Sequence, residues 1–256
     1  MSATARTLPW ELGTVAALWR RDLLRLFRER SRWLGVVLQP LLFWVVIGTG
    51  MDGVFQLPGA DGTSYRAWFF PGILMMIVLF TTIFATMSVI EDRQTGFLQQ
   101  VLVAPGSRLA LVLGKVAGVT TMALIQAALF LPLAPLAGFS LASIAWPSLL
   151  AVIVVSCVGL TAVNLSMAWV LSSTQGYHAV MSVVLIPLWI LSGAMFPGDG
   201  TWIEAVMRVN PLAYAVGGAR AALGGGGVGF ELLVLAAFAV GALALAARTC
   251  SRGGRR

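Results

Sequence analysis

The chain has 256 residues, 59% of them hydrophobic and 11% charged, with a mean hydropathy of +0.90 and a formal net charge of +7. Soluble domains carry about 25% charged residues, so this composition excludes an ordinary globular domain. It indicates an all-α protein that crosses a membrane several times, in which positive charge reports orientation rather than nucleic-acid binding.

Taken in chain order, the first element is the segment 10–34, WELGTVAALWRRDLLRLFRERSRWL. As a helix it gathers Leu12, Val15, Trp19, Leu23, Phe27 and Leu34 on one face and Arg21, Arg25, Arg28 and Arg32 on another. An apolar stripe with tryptophans beside an arginine stripe predicts a helix lying in the headgroup plane. A simple topology anchor would use the same residues. The long cationic stretch with embedded aromatics does not read as a signal peptide.

Apolar runs long enough to span a bilayer follow at about 34–51, 69–90, 109–131, 149–171, 178–197 and 229–247, six in all. Gln39-Pro40 and Pro187 predict kinks in the first and fifth. All Arg and Lys residues except Arg66, Arg208 and Arg220 fall before the first span, in the 91–115 connection or in the C-terminal tail. Positive-inside bias therefore places both termini and the 91–108 connection in the cytoplasm. Lys115 and Glu231 lie near span ends, where snorkelling is expected to suffice.

The connection 91–108, EDRQTGFLQQVLVAPGSR, is too apolar for a solvated loop. A short helix from Thr95 to Ala104 is expected, stopped by Pro105-Gly106. Phe97, Leu98, Val101 and Leu102 form a ridge opposite Gln94, Gln99 and Gln100. Such a ridge either rests on lipid or fills a groove on a soluble partner.

Outside the spans, 52–68 and 198–228 are too short to bury a core of their own. Gly224–Gly227 lacks the following Lys-Ser/Thr of a phosphate loop and reads as a flexible entry to the last span. His178 is the sole histidine, Cys157 and Cys250 form no motif, and no paired intramembrane carboxylates occur. These absences leave no catalytic set, no metal site and no proton or sodium relay. An energy source on another subunit is expected.

The run G-F-L-Q-Q-V-L-V-A-P-G at 96–106, with L-V-L-G-K at 111–115, resembles the cytoplasmic signature of ABC-2 type transporter permeases. FFPGILMM (69–76), LSGAMFPGD (191–199) and VNPLAYAVGGAR (209–220) are similar to further elements of that family, in the same order. The likeness is nearest to exporters of the daunorubicin-resistance and YadH-like branch. Gln99 stands where the family commonly carries Glu.

The resemblance implies a cytoplasmic connecting helix over 1–33 and a transmembrane domain over 34–256. It implies a coupling helix that docks on an ATP-binding subunit through Glu91, Asp92, Gly96, Phe97, Leu98, Gln99, Val101, Leu102, Ala104 and Pro105. Arg21, Arg25, Arg28 and Arg32 would face phosphates or acidic partner residues. An extracellular re-entrant hairpin over 198–223 would form a gate from Pro197, Asn210, Pro211, Tyr214 and Arg220. No cofactor is expected on this chain, ATP and Mg belonging to two copies of the partner ATPase. A second permease copy, identical or related, and a bacterial-type inner or plasma membrane complete the expectation. Aromatics such as Trp33, Phe43, Trp44, Trp189 and Phe196 would suit an amphipathic cargo, drug or lipid-like, or else lipid packing. The competing reading is a membrane scaffold that docks a soluble partner without transport. An intramembrane enzyme lacks the residues it would need.

Overall fold

A computed structural model describes residues 8–28, 30–54, 63–96, 107–198 and 202–252. All regular structure among them is helical. The helices are α1 (Leu8–Arg28), α2 (Arg30–Met51), α3 (Tyr65–Gln94), α4 (Arg108–Phe130) and α5 (Trp146–Val170). There follow α6 (Thr174–Trp189), α7 (Trp202–Val209), α8 (Pro211–Leu223) and α9 (Gly229–Arg252). A 3₁₀ segment, Leu131–Ala137, extends α4, and a π turn, Ile190–Ala194, ends α6.

Five helical stretches are long and apolar enough to cross a membrane: Tyr65–Gln94, Arg108–Ala137, Trp146–Val170, Thr174–Ala194 and Gly229–Cys250. The expected first span falls in α2, whose apolar part, Leu38–Met51, is shorter. Pro40, where a kink is expected, lies inside α2, which is continuous through it. Pro187 is likewise inside α6, and the irregularity comes at Gly193, which has φ +76°. Only glycine adopts that left-handed backbone cheaply.

The center of the bundle is α3, apolar all round, as befits a helix buried on every side. Without water to drive it, membrane helix packing relies on close contact and interhelical hydrogen bonds. Three hydroxyls on α3 provide the latter. Thr81 bonds Gln126 of α4, Thr82 accepts from Asn164 of α5 at 2.9 Å, and Thr86 meets Tyr177 of α6 at 2.7 Å. α5 packs against α9, α3, α4 and α8, making it the second hub. Cys157 and Cys250 are buried and free.

Trp44 and Trp189 are also core residues rather than wall residues of a path. They are 5% and 3% exposed, and their indole N–H groups donate to the carbonyls of Arg66 and Gly72. Phe43 and Phe196 are each 37% exposed.

Candidate functional site

Charge concentrates where α3 ends, α4 begins and α1 crosses them. α1 packs chiefly on α4, and two glycines make the seat. A Cβ on Gly114 would lie 3.0 Å from Leu18 Cβ and 3.2 Å from the Val15 carbonyl oxygen, and one on Gly118 would lie 3.3 Å from Asp22 Cβ. The small-xxx-small pair thus receives α1 of the same chain. The face of α1 that meets α4 includes Val15, Leu18 and Asp22, while Leu12 is 63% exposed. The buried face is therefore rotated from the apolar stripe expected from sequence, because it is built around a carboxylate.

That carboxylate has a partner. Lys115 Nζ donates to Asp22 Oδ2 at 2.8 Å and to Ser88 Oγ at 2.8 Å, joining α1, α4 and α3. Lys115 does not snorkel. It is 8% exposed and Asp22 6%. In a low-dielectric setting the ammonium is tolerated only because both groups satisfy it. A cavity of about 30 Å³ lies beside the pair, lined by Leu18, Arg21, Asp22, Val89, Asp92, Leu111 and Lys115. Its lining is mostly apolar but includes this ion pair, and it has room for a water.

Next to Asp22, Arg21 bonds Asp92, and one turn further along α1 Arg25 donates to Asp92 at 3.2 Å and to Glu91 at 2.6 Å. Two of the four arginines expected to face outside partners thus have acidic partners within the chain. Arg28 is exposed, and the Arg32 side chain lies outside those described. Because the ion pairs are only part-buried, each contributes modestly, but chelation of one acidic dipeptide by two guanidinium groups fixes the angle between α1 and α3.

Arg93, which sequence reasoning did not single out, closes the other side. Its Nη2 donates to the carbonyls of Trp169 at 2.7 Å and Ala168 at 3.3 Å, and its Nη1 to Leu171 at 3.2 Å. The guanidinium also stands 5.6 Å from the Trp169 ring centroid. A cation on the orphan carbonyls of a helix C-terminus complements the dipole as well as the hydrogen bonds. Gln94 adds a bond to the Ser172 carbonyl at 3.2 Å. Thr95 then caps α3, and Gly96 turns the chain with φ +77°. Phe97, Leu98, Gln99, Val101, Leu102, Ala104 and Pro105 lie outside the described residues.

At the opposite end the motif stretches 69–76, 191–198 and 209–220 come together. Gly72 is so close to the π turn that a Cβ there would sit 2.7 Å from Ala194 Cβ. Tyr65 Oη donates to the Met195 carbonyl at 3.1 Å. Asn210 is 2% exposed, so it is not part of a surface loop. Its Oδ1 caps α8 by accepting from Leu212 N, and its Nδ2 donates to the Leu188 carbonyl at 2.7 Å. Pro211 occupies the first turn, where its missing N–H is harmless. Tyr214 Oη donates to the Arg208 carbonyl at 2.8 Å. Arg220 Nη2 donates to the carbonyls of Gly193 at 2.9 Å and Trp68 at 3.3 Å. Pro197 is partly buried, just after the π turn. Among the described residues no group of histidine, cysteine or carboxylate side chains could hold a metal ion.

Comparison with known proteins bears on what this pair of ends is for. The family described as ABC-2 type transporter matches residues 14–223. The chain belongs to the ABC-2 type transporter family. It is similar to the ycf38 protein of Porphyra purpurea, named a transport permease, at 28% identity over 219 residues, covering 80% of this chain and 72% of that one. The ycf38 protein of Cyanophora paradoxa is 26% identical over 209 residues, covering 78% and 70%. Nodulation protein J of Neorhizobium galegae is 28% identical over 224 residues, covering 83% and 82%. Membership makes this chain a membrane component of a transport system, in a family whose members normally partner with an ATP-binding subunit and are not themselves catalytic. Within an ABC-2 protein, the missed residues Asp22, Ser88, Arg93 and Lys115 are the ones that tie α1, α3, α4 and α5 into one unit at the charged end. One signal was available: Lys115 is a solitary cation inside an apolar run, and Asp22 is the one acid in the arginine-rich part of α1.

Proposed function

We propose that this ABC-2 protein is the permease subunit of an exporter, coupling ATP hydrolysis on a separate subunit to outward movement of a hydrophobic or amphipathic molecule. Two permease copies would assemble with two ATP-binding subunits in an inner or plasma membrane. In this reading α2 supplies a sixth span and both termini are cytoplasmic. The segment 198–223 is then a re-entrant hairpin at the outer gate. Two observations favour the hairpin: α8 has 13 residues, well short of the roughly 20 a span needs, and its cap Asn210 is buried.

The observation that carries the proposal is the bracing of α3 at Glu91 and Asp92 by Arg21 and Arg25, directly before the segment 97–105. A docking helix can act as a lever only if its root is stiff. Here the root is held by α1 on one side and, through Arg93, by the end of α5 on the other. Nucleotide-driven closure of the ATPase pair would push on 97–105. The joined ends of α1, α3 and α5 would tilt together and open a seam between two permease copies at the far end. Gln99 leaves that contact without the carboxylate common in the family, so docking rests on the apolar ridge Phe97, Leu98, Val101 and Leu102.

The test is co-purification. Leu98→Asp with Leu102→Asp is expected to release the ATP-binding subunit while the permease remains inserted in the membrane. Binding as strong as wild type would refute the docking assignment. A scaffold without transport would retain the partner but show no ATP hydrolysis stimulated by an amphiphile panel.

A further inference from the structure

Three basic residues lie at the end of the bundle opposite the α1 seat. Arg66 donates to Asp52 at 2.7 Å and Arg208 to Glu204 at 2.7 Å. Arg220 has no carboxylate of the described residues within ion-pairing distance, although it is the most enclosed of the three. Its guanidinium carbon stands 3.8 Å from the centroid of the Trp68 ring. Two carbonyl oxygens take hydrogen bonds from Nη2, but carbonyls do not neutralise charge. Arg220 Nε is buried and has no acceptor among the described residues, and neither has the buried Nε1 of Trp68.

A membrane protein that encloses a cation supplies it with a carboxylate or with backbone carbonyls, and a buried donor left without an acceptor calls for a missing ligand, ion or water. Here a charge and two N–H donors that need acceptors meet at one place. Their depth is informative. Trp68 is the fourth residue of α3, about 5 Å along the axis from its first residue, at the level where tryptophans border lipid headgroups. Two donors from a planar guanidinium and an indole suit an oxyanion, which offers several lone pairs at once.

We infer that Arg220 and Trp68 form a receptor for the anionic oxygen of an amphiphile, of the phosphate-monoester or phosphodiester type. The amphiphile is either a membrane lipid or the transported molecule, and only the second source rests on the exporter reading. The stacked indole holds the guanidinium plane, the carbonyls of Gly193 and Trp68 fix its direction, and the oxyanion accepts from Arg220 Nε and Trp68 Nε1.

The experiment measures the thermal midpoint of the full chain in neutral detergent, without any ATPase, so its failure is separate from failure of the transport proposal. The probes are dodecyl phosphate, phosphatidylglycerol and phosphatidylcholine. A saturable rise is expected with the two anionic probes and none with phosphatidylcholine. Trp68→Phe keeps the ring and removes one donor. It should raise the half-saturating concentration about tenfold, the effect of losing a hydrogen bond to a charged group. Arg220→Lys should raise it at least as much. Tighter half-saturation by phosphatidylglycerol than by dodecyl phosphate identifies a lipid as the source, and the reverse order a single-chain cargo. Equal stabilisation by phosphatidylcholine overturns the inference, as does unchanged half-saturation in both variants. So does a loss of stability in Asp61→Asn or Asp199→Asn that equals and masks that of Arg220→Gln, since the counter-charge would then be internal.

Discussion

Asp22 and Lys115 are each almost enclosed, and they pair with each other at 2.8 Å. Removing one member strands a charge, at a cost of about 3–5 kcal/mol for buried pairs. Lys115→Met and Asp22→Asn are therefore each expected to lower the thermal midpoint in detergent substantially. The apolar double variant Asp22→Leu with Lys115→Met is expected to recover most of the loss, since an enclosed pair adds little over well-packed apolar groups. Additive losses in the double variant would show that the two residues are not coupled and would refute the pairing. At this scale the sequence was only partly legible. Glu91 and Asp92 were visible as acids at a helix end, but their partners 66 to 71 residues earlier were not. Neither was Arg93, because a guanidinium spread over backbone carbonyls leaves no mark in residue spacing.

Helix positions were legible because apolar run length is a direct consequence of bilayer thickness. The runs at 69–90, 109–131, 149–171 and 229–247 fall within α3, α4 with its 3₁₀ extension, α5 and α9. Legibility fails where backbone geometry, not hydropathy, decides. The π turn at Ile190–Ala194 follows from a left-handed glycine packed under Met207, and hydropathy carries no trace of that. The glycine pair at 114 and 118 was equally ambiguous by spacing, which tells that some helix approaches closely but not which one. Its assignment to α1 makes an element-scale prediction. Gly114→Leu should displace α1, since the added side chain meets Leu18 and the Val15 backbone. A disulfide between cysteines placed at Asp22 and Gly118, whose Cβ atoms would lie 3.3 Å apart, would report it, and loss of cross-linking is expected. Retained cross-linking would place the seat elsewhere.

The molecule as a whole has two specialised ends joined by α3, α4, α5, α6 and α9. One end carries the ion pairs of α1, and the other gathers the family's three remaining motif stretches around Gly193. Their convergence could not be seen in the sequence, where about 120 residues separate FFPG from LSGA. Orientation is testable at this scale. Single cysteines replacing Val54 and Thr95, both at exposed positions, in a chain whose buried Cys157 and Cys250 are replaced by alanine, should react with an impermeant maleimide on opposite sides of the membrane. Thr95 should be labelled only from the cytoplasmic side. Labelling of both from one side would remove the structural basis for alternating access.

The seating of α1 also bears on how the protein is made. Asp22 is translated well before Lys115, so the carboxylate is already waiting at the membrane surface when the ammonium emerges. A nascent chain that began after residue 22 would have to insert α4 with its lysine uncompensated. The amino-terminal helix is thereby expected to ease the insertion of α4.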